Sequence, residues 1–361
     1  MFPVDLALVG FGNVGRRFVR LLQERSDDLC RHHGLDWRIV GIATRRHGVA
    51  RNPGGLDPDA AIALVEGGGS LDALGSAARV DTASRPGRPM GVEFIAQVAA
   101  EGSAPAQRHL VIVETTLLDI VAGQPAIDHV RAALGAGAHV LTANKGPIAF
   151  AYAELAARAR SAGRVFLFEG AVMDGIPIFN LVRETLPVAR IDGFRGVLNS
   201  TTNYILTAME EGREFDEALA EMQRAGVAEA DASLDVDGWD AAAKAAALAN
   251  VLMGARVTPP EVDRTGIGHV GGADARAAVG RGRRVKLVAR AERRGENAVV
   301  RVRPEELPQA DLLATLRNQQ NALVLETDLL GEFAIVQLGG GLTQTAYALL
   351  SDLVSLGRLH R

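Results

Sequence analysis

Lysine and cysteine are both scarce in this sequence of 361 residues. The single cysteine, Cys30, lies in DDLCRHHG, a polar stretch that is predicted to follow a helix. One cysteine excludes an intramolecular disulfide and a metal site built from several cysteines, so a free structural thiol is expected. Three lysines stand against thirty-six arginines, and Lys145 and Lys244 lie in the short polar motifs TANKGP and DVDGWDAAAK. Arginine keeps its proton at every accessible pH, whereas a partly buried lysine can exchange one. The two lysines are therefore candidates for proton transfer.

The features of membrane, secreted and nucleic-acid-binding proteins are also missing. No uncharged apolar stretch approaches the roughly 18 residues that span a bilayer, and the N-terminus lacks the basic flank and apolar core of a signal peptide. The net charge of −4 argues against nucleic acid or a membrane surface as the main partner. We predict a cytoplasmic protein that acts on a small molecule.

The order of apolar segments predicts an α/β protein of two domains. In residues 1–150, short strands alternate with helices, as in a Rossmann-type domain with a parallel sheet. The strands are predicted at Asp5–Val9, Arg38–Thr44, Leu110–Glu114 and His139–Thr142, and the helices at Val14–Gln23, Ala60–Val65, Gln124–Leu134 and Ala149–Ala159. Residues 67–107 carry clusters of glycine and proline, which predicts a loop-rich crossover with a strand at Val92–Ile95.

The alternation changes beyond residue 150, and a second, α+β domain is predicted over residues 151–338. Its strands are predicted at Val165–Phe168, Ile191–Leu198, Val285–Ala289, Ala298–Val302, Ala322–Thr327 and Phe333–Leu338, and its helices at Ile178–Glu184, Asn203–Glu211, Phe215–Ala225 and Trp239–Met253. A last helix at Gln344–Leu356 is expected to return to the first domain, which then comprises residues 1–150 and 339–361.

A glycine-rich turn follows the first predicted strand. Its G-x-G-x-x-G pattern consists of Gly10, Phe11, Gly12, Asn13, Val14 and Gly15. Gly10 allows a tight turn, Gly12 lets the backbone approach a pyrophosphate, and Gly15 lets the helix pack closely on the strand. The free N–H groups of the helix then face the negative charge. The strand–turn–helix context predicts dinucleotide binding, and a tight turn without a ligand is the alternative.

The end of the second predicted strand bears on the choice of cofactor. NAD-binding proteins usually have a carboxylate here that accepts a hydrogen bond from the ribose 2′-OH. This chain has Thr44, Arg45 and Arg46 instead. Because arginine pairs well with a 2′-phosphate, NADP(H) is favoured over NAD(H). The alternative is that both arginines are solvated loop charges in an arginine-rich chain.

Acidic residues are concentrated in the segment GVAEADASLDVDGWDAAAK, residues 226–244. Asp240 and Lys244 are four residues apart and share one helix face. The helix is otherwise small or apolar, so most of its surface is predicted to be buried. An ion pair on such a helix costs desolvation free energy unless it lines a cleft. The alternative is an ordinary exposed pair.

This segment resembles the homoserine dehydrogenase signature, a G-x-A-E-x-D…D-x-x-G-x-D-x₃-K pattern. It departs at Ala232, where relatives commonly have proline, and at Met222, where many have alanine. Further segments agree in order and spacing, so the resemblance covers nearly the whole chain. They are GFGNVG, TANKGP, EGAVMDGIP (169–177), NSTTNYIL (199–206) and GLTQTAYALLSD (341–352).

The resemblance implies interconversion of L-aspartate 4-semialdehyde and L-homoserine with NAD(P), a step of threonine and methionine biosynthesis. It implies that Lys244 is the proton donor and acceptor at the substrate oxygen. Glu229 and Asp240 would hold the substrate with support from Asp235, and Lys145 would lie between the nicotinamide and the substrate. The residues implied to line the cofactor cleft are Thr115, Thr116 and Gly341.

The same resemblance implies a homodimer formed through the second domain and a sodium ion bound largely by main-chain carbonyls. The implied sodium site comprises Glu169, Val172, Asp174 and Ile176. Asp174 replaces a glycine of many relatives. We also expect a short form of the enzyme, without a kinase domain or a C-terminal regulatory domain.

Two other functions are considered. One is a different Rossmann oxidoreductase acting on an amino-acid-derived substrate. A phosphorylating version would need a cysteine nucleophile, and Cys30 is badly placed. The other is a non-catalytic NADP-binding sensor, which would keep the glycine turn but not the Asp240 and Lys244 pair. Lys286, in RRVKLVAR, is expected to have a surface head group and no chemical role.

Overall fold

The chain forms two compact units. A computed structural model describes residues 1–75, 90–101, 108–224 and 232–360. The first unit comprises Met1–Pro147, Ala153–Pro177 and the segment that begins at Gly341, and the second comprises Ile148–Tyr152 and Ile178–Gly340. Ala153–Pro177 was predicted to belong to the second domain. It belongs to the first unit, because its strand extends the first sheet.

The described residues contain twelve strands and fifteen α-helices. The strands are β1 (Phe2–Val9), β2 (Leu35–Thr44), β3 (Gly48–Arg51), β4 (His109–Glu114), β5 (His139–Thr142), β6 (Phe166–Leu167), β7 (Ile191–Val197), β8 (Asp263–Arg264), β9 (Arg283–Arg294), β10 (Asn297–Pro308), β11 (Asn321–Thr327) and β12 (Gly331–Gln337). The helices are α1 (Asn13–Glu24), α2 (Ser26–His33), α3 (Pro58–Glu66), α4 (Met90–Glu101), α5 (Ala126–Gly135), α6 (Gly146–Phe150), α7 (Tyr152–Ser161), α8 (Phe179–Thr185), α9 (Ser200–Glu210), α10 (Phe215–Arg224), α11 (Ser233–Val236), α12 (Trp239–Met253), α13 (Gly272–Gly280), α14 (Leu312–Thr315) and α15 (Leu342–Leu359). None of these helices is both long and apolar enough to cross a membrane.

The first unit contains the predicted parallel sheet, in the strand order β3-β2-β1-β4-β5-β6. Strand β1 pairs in parallel with β2 on one side and β4 on the other, so the chain changes direction across the sheet at β1. In open α/β sheets the ligand lies at the carboxyl ends of the strands at such a point. The late helix α15 packs into the same core through Leu349, Leu353 and Leu356, as the sequence predicts.

Three local predictions in this unit are wrong. Val92–Ile95 is not a strand but part of α4, whose Phe94 and Ile95 are fully buried. The predicted helix Ala149–Ala159 is two helices, α6 and α7, separated at Ala151. Cys30 lies inside α2, not after a helix, and it is exposed and free.

The second unit is built on a mainly antiparallel sheet, in the strand order β12-β11-β7-β9-β10-β8. Strands β9 and β10 form a hairpin of twelve paired residues each. Helix α12 is buried around most of its circumference, as predicted, because its surface is largely alanine. Gly238 begins this helix with a left-handed φ of 79° that favours glycine.

The prediction of a surface position for Lys286 is wrong. Its side chain on β9 is fully buried, and Nζ donates hydrogen bonds to Asn203 Oδ1 at 2.7 Å and to the Leu316 carbonyl oxygen at 2.6 Å. Burial lowers the pKa of Lys286 to about 8, although the carboxylate of Glu210 acts in the opposite direction. A strand-borne lysine in a basic stretch gave no sign of these partners, which lie 83 and 30 residues away along the chain.

This buried lysine predicts an unusual rise of stability in alkaline solution. The folded state releases the proton near pH 8, whereas the unfolded chain keeps it to about pH 10.5. Between these values the unfolded state binds more protons, so the free energy of unfolding rises with pH. We expect a gain on the order of 3 kcal/mol. Denaturant titrations from pH 7.5 to about 10.5 measure it.

The matched variant is Lys286→Met, which keeps the side-chain length and removes the titrating group. Its unfolding free energy should rise by about 3 kcal/mol less than that of the wild type over the same range, since every other titrating group is common to the two proteins. Equal slopes in the wild type and the variant would show that Lys286 does not cause the rise.

Candidate active site

The glycine-rich turn joins β1 to α1 at the carboxyl edge of the first sheet. Gly10 has a φ of 93°, and a Cβ here would lie 2.7 Å from the main-chain carbonyl carbon of Thr115. A Cβ on Gly15 would lie 3.2 Å from the Gly10 carbonyl oxygen. Gly12 differs, because a Cβ on it would meet no described atom within 4 Å. Contacts within the chain therefore explain why positions 10 and 15 are glycine. They do not explain Gly12, where a bound ligand is the remaining reason for a glycine.

Around these glycines, the remaining residues of the turn are held in place by Arg16. Its guanidinium donates to the Phe11 carbonyl oxygen at 3.1 Å and to Asn13 Oδ1 at 2.8 Å. Phe11 is buried, whereas Asn13 is exposed and Val14 is half-buried. In the described part of the chain, no side chain caps the start of α1. Its first N–H groups are therefore available to a phosphate.

Two alanine variants separate the roles of the glycines. We expect Gly12→Ala to keep the melting temperature of the free protein but to raise the Kd for NADPH at least about tenfold, because the methyl group occupies the path of the pyrophosphate. Gly10→Ala should lower the melting temperature, since its φ is positive and its Cβ collides with backbone. Thermal unfolding and fluorescence titration measure both effects. Unchanged NADPH binding by folded Gly12→Ala would contradict the assignment.

Arg45 and Arg46 lie where the sequence placed them, in the exposed turn between β2 and β3. Thr44, the last residue of β2, is buried. Its Oγ1 accepts a hydrogen bond from the His47 N–H at 2.8 Å and donates one to the Gly48 carbonyl oxygen. The threonine therefore shapes the turn, and both arginine side chains are exposed to solvent at the carboxyl edge of the sheet.

Glu114, which the sequence analysis did not single out, organises the residues after β4. It is fully buried, and it accepts hydrogen bonds from Thr116 N at 3.1 Å, from the Thr116 hydroxyl, and from Thr142 Oγ1 at 3.0 Å. Thr115 Oγ1 donates to the Gly10 carbonyl oxygen at 2.9 Å. Both predicted threonines thus lie beside the glycine turn in a fixed arrangement.

Lys145 lies in the short loop after β5, at the same edge of the sheet, and is half-buried. The preceding residue, Asn144, holds this loop in place. Its Nδ2 donates to the Thr116 carbonyl oxygen at 3.0 Å, and its Oδ1 accepts from the Gly146 N–H at 2.9 Å. The loops that carry Thr116 and Lys145 are therefore tied together.

In the second unit the structure brings together Asp235, Asp240 and Lys244. Lys244 Nζ lies 2.8 Å from Asp240 Oδ2 and donates to the Leu198 carbonyl oxygen at 2.7 Å. The Lys244 and Asp240 side chains are each 17% exposed, so the pair is neither a solvated surface pair nor sealed in the core. Glu229, the other predicted substrate ligand, lies outside the described residues.

Asn199 connects the two aspartates, a role that the sequence did not reveal. Its Nδ2 donates to Asp235 Oδ1 at 2.7 Å and to Asp240 Oδ2 at 3.0 Å, while its Oδ1 accepts from Thr202 N at 2.8 Å. Burial raises the pKa of the Asp235 carboxyl, and the nearby charge of Asp240 raises it further. An amide donor is what such a crowded pair of carboxylates needs. The available signal was the N-cap pattern Asn199-x-x-Thr202.

The predicted sodium segment runs along α15 in the first unit. Glu169 and Val172 are buried, and Asp174 has a left-handed φ of 47°. Among the described residues, no main-chain N–H of a turn, loop or helix cap donates to the carbonyl oxygen of Val172 or Ile176. Hard oxygen donors of this kind suit an alkali or alkaline-earth cation. The donor chemistry thus fits a sodium ion.

Helix α15 anchors this segment by two side chains. Asp352 is fully buried, and its Oδ2 accepts from the Glu169 N–H at 2.8 Å. Thr345 Oγ1 donates to Asp174 Oδ1 at 3.4 Å. Gly341, predicted to line the cofactor cleft, is exposed and immediately precedes the helix.

Comparison with known proteins accounts for both units. Residues 10–169 match the family model of the homoserine dehydrogenase NAD binding domain, and residues 177–354 match that of homoserine dehydrogenase. The chain belongs to the homoserine dehydrogenase family. It is an NAD(P)-dependent oxidoreductase that acts on a CH–OH group, and it carries out the step between L-aspartate 4-semialdehyde and L-homoserine. The predicted family, fold class and activity are confirmed.

Individual homoserine dehydrogenases agree with the family models. The chain is 36% identical to the NAD(+)-dependent homoserine dehydrogenase of Pseudomonas canavaninivorans, over 99% of this chain and 97% of the relative. It is 35% identical to the homoserine dehydrogenase of Methanocaldococcus jannaschii, over 98% of each chain.

Solved homoserine dehydrogenase structures share the fold. A hyperthermophilic archaeal homoserine dehydrogenase in complex with NADPH has a TM-score of 0.79 at 29% identity, covering 100% of this chain and 99% of that one. The homoserine dehydrogenase of Thiobacillus denitrificans has a TM-score of 0.78 at 31% identity, covering 99% of this chain and 74% of that one.

Proposed function

We propose that Lys244 exchanges the proton at the substrate oxygen and that Asp240 holds Lys244 in position for this step. The observation that carries the proposal is the 2.8 Å contact between Lys244 Nζ and Asp240 Oδ2, on a helix that is otherwise almost entirely buried. When bound, the nicotinamide supplies the hydride for the aldehyde carbon. The carbonyl oxygen then becomes an alkoxide, which needs a nearby positive charge and a proton. A lysine ammonium supplies both.

The carboxylates serve the substrate ammonium group. Asp240 faces Lys244, and Asp235 lies on the other side of the Asn199 amide. Carboxylates pair well with a cationic amino acid substrate. We infer that Asp235, Asp240 and Glu229 bind the amino group and that Lys145 adds positive charge at the carboxyl end of β5. NADP⁺ reduction, followed by nicotinamide absorbance with and without homoserine, separates this enzyme from a non-catalytic sensor.

We propose that the enzyme prefers NADP(H) to NAD(H). The support is the exposed pair Arg45 and Arg46 after β2, where a carboxylate would favour NAD(H). The relatives do not decide this point, since one is named as NAD(+)-dependent and another was solved with NADPH.

We expect a lower KM for NADPH than for NADH in the wild type. The double change of Arg45→Ala and Arg46→Ala should raise the KM for NADPH by about 10- to 100-fold, because charge-assisted hydrogen bonds to the 2′-phosphate are lost. The KM for NADH should stay within about twofold and is the internal control. Steady-state kinetics with both cofactors measure the effect, and a clear NADH preference of the wild type would overturn the assignment.

Three further properties of the protein are proposed. We infer that sodium binds at Glu169, Val172, Asp174 and Ile176. If exchanging sodium for tetramethylammonium left the stability of the protein unchanged, that result would argue against the site.

We infer a homodimer, supported by the edge strand β12, whose neighbouring Leu329, Leu330 and Leu338 are exposed. Sedimentation velocity tests it, and a monomer at micromolar concentration would overturn it. A cytoplasmic location stays a prediction, and fractionation of the source cells tests it.

A further inference from the structure

A cluster of basic side chains lies at the amino-terminal edge of the first sheet, at the opposite ends of the strands from the glycine turn. His109 and His139 are the first residues of β4 and β5, and His360 directly follows α15. Their ring centroids are 4.7–5.6 Å apart. Arg164 lies two residues before β6, and its charge acts on both His109 and His139. None of these four residues is among those assigned above to the cofactor, the substrate or the sodium ion.

Two buried N–H donors of the cluster lack acceptors. His139 is 1% exposed, and its Nδ1 accepts a hydrogen bond from the Val165 N–H at 3.1 Å. The neutral ring therefore carries its proton on Nε2. Among the described residues, neither His139 Nε2 nor Arg164 Nε has a hydrogen-bond partner. Buried donors without an acceptor cost free energy, so both atoms point to an acceptor that a ligand would supply.

The described surroundings of His139 supply no negative charge. The groups that act on His139 are His360, Arg164 and His109, and no described carboxylate is among them. Burial and these neighbouring positive charges lower the pKa of His139 to about 3. Phe2 stacks on His109 at 4.2 Å and forms an apolar wall. His360 is exposed and His109 is half-buried, so solvent reaches the open side of the cluster.

We propose that His109, His139, Arg164 and His360 form a binding site for a small multivalent oxyanion, of the phosphate or sulfate type. Such an ion offers several acceptor oxygens to the donors of His139 and Arg164, and its negative charge pairs with the Arg164 guanidinium. The site lies at the end of the strands opposite to the cofactor turn, so its ligand is not the dinucleotide. It adds an anion-dependent stability to the first unit.

A divalent metal is the competing occupant, since the three histidines offer nitrogen atoms within 4.8 Å of one another. His360 is prepared for such a role, because its Nδ1 donates to the Leu356 carbonyl oxygen at 3.0 Å and leaves a lone pair on Nε2. His139 is not, since the Val165 N–H fixes its proton on Nε2. The guanidinium of Arg164 also repels a cation. The anion is therefore favoured.

The test is titration of the full-length protein with inorganic phosphate at constant ionic strength, with NADPH saturating so that the cofactor turn is occupied. We expect phosphate to raise the wild-type Tm by about 2 °C or more. The His139 imidazole signals should shift in nuclear magnetic resonance spectra. In Arg164→Gln the apparent Kd for phosphate should rise at least tenfold.

The matched control is Arg160→Gln, which makes the same change at an exposed arginine of α7. It should respond to phosphate like the wild type. Two results would overturn the proposal. One is an equal phosphate response of Arg164→Gln and the wild type, which places the ion elsewhere. The other is stabilisation by zinc with none by phosphate, which makes the cluster a metal site.

Discussion

Replacing Lys244 by arginine is expected to lower kcat by about 10²–10⁴-fold, the usual contribution of a positioned general acid. Arginine keeps the positive charge but does not release its proton at the pH of the assay. The local structure adds a second reason. Lys244 Nζ fits between the Leu198 carbonyl oxygen and Asp240 Oδ2, at 2.7 and 2.8 Å, and the planar guanidinium does not reproduce this arrangement.

The measurement separates chemistry from binding and folding. We expect the KM of Lys244→Arg for the cofactor to stay close to that of the wild type, because the cofactor turn belongs to the other unit. Thermal unfolding shows whether the variant is folded. A near-normal kcat in Lys244→Arg would show that a positive charge suffices at this position. The proton-transfer role would then be wrong.

Acidification is expected to destabilise the first unit through His139. The buried ring has a pKa of about 3 in the folded chain against 6.5 for the ordinary side chain. Below pH 6.5 the His139 ring binds a proton in the unfolded chain but not in the folded chain. The free energy of unfolding therefore falls as the pH falls. The loss is complete near pH 3 and is on the order of 5 kcal/mol.

His139→Asn isolates this contribution from that of the carboxylates. The asparagine oxygen takes the place of Nδ1 as acceptor for the Val165 N–H, and the variant has no titrating ring. At neutral pH the variant should be less stable than the wild type, because it fills the site less well. The difference should shrink as the pH falls from 6.5 towards 4, in denaturant titrations without phosphate. A constant difference over that range would contradict the pKa.

The sequence predicted the parts of the fold that depend on local pattern. Strand His139–Thr142 and helix Trp239–Met253 have the predicted bounds, because each is a mainly small or apolar segment that lies between glycines. A strand was predicted at Val92–Ile95 because β-branched and aromatic residues favour strands locally. In the structure Phe94 packs against Gly41 of β2, where any Cβ would lie 2.8 Å from its ring. That long-range contact outweighs the local preference.

In the candidate site, too, the sequence predicted the contacts that depend on local spacing and missed those between distant segments. Asp240 and Lys244 were found because four residues on a helix bring two side chains together, and Arg45 and Arg46 because they follow a strand. Asn199 was missed as a partner because it is 36 and 41 residues away from the aspartates it binds. The interior position of Lys286 depends on similarly distant acceptors. Local spacing predicts contacts within an element, and only the folded chain shows contacts between elements.

The position of α15 sets the order in which the chain can fold on the ribosome. Leu349, Leu353 and Leu356 complete the core of the first unit, yet they are translated after the whole of Ile178–Gly340. One apolar face of the N-terminal sheet therefore stays uncovered while the second unit is synthesised. Domains usually fold in the order of synthesis. Here the later unit can close first, and the earlier one needs protection from aggregation until the last helix emerges.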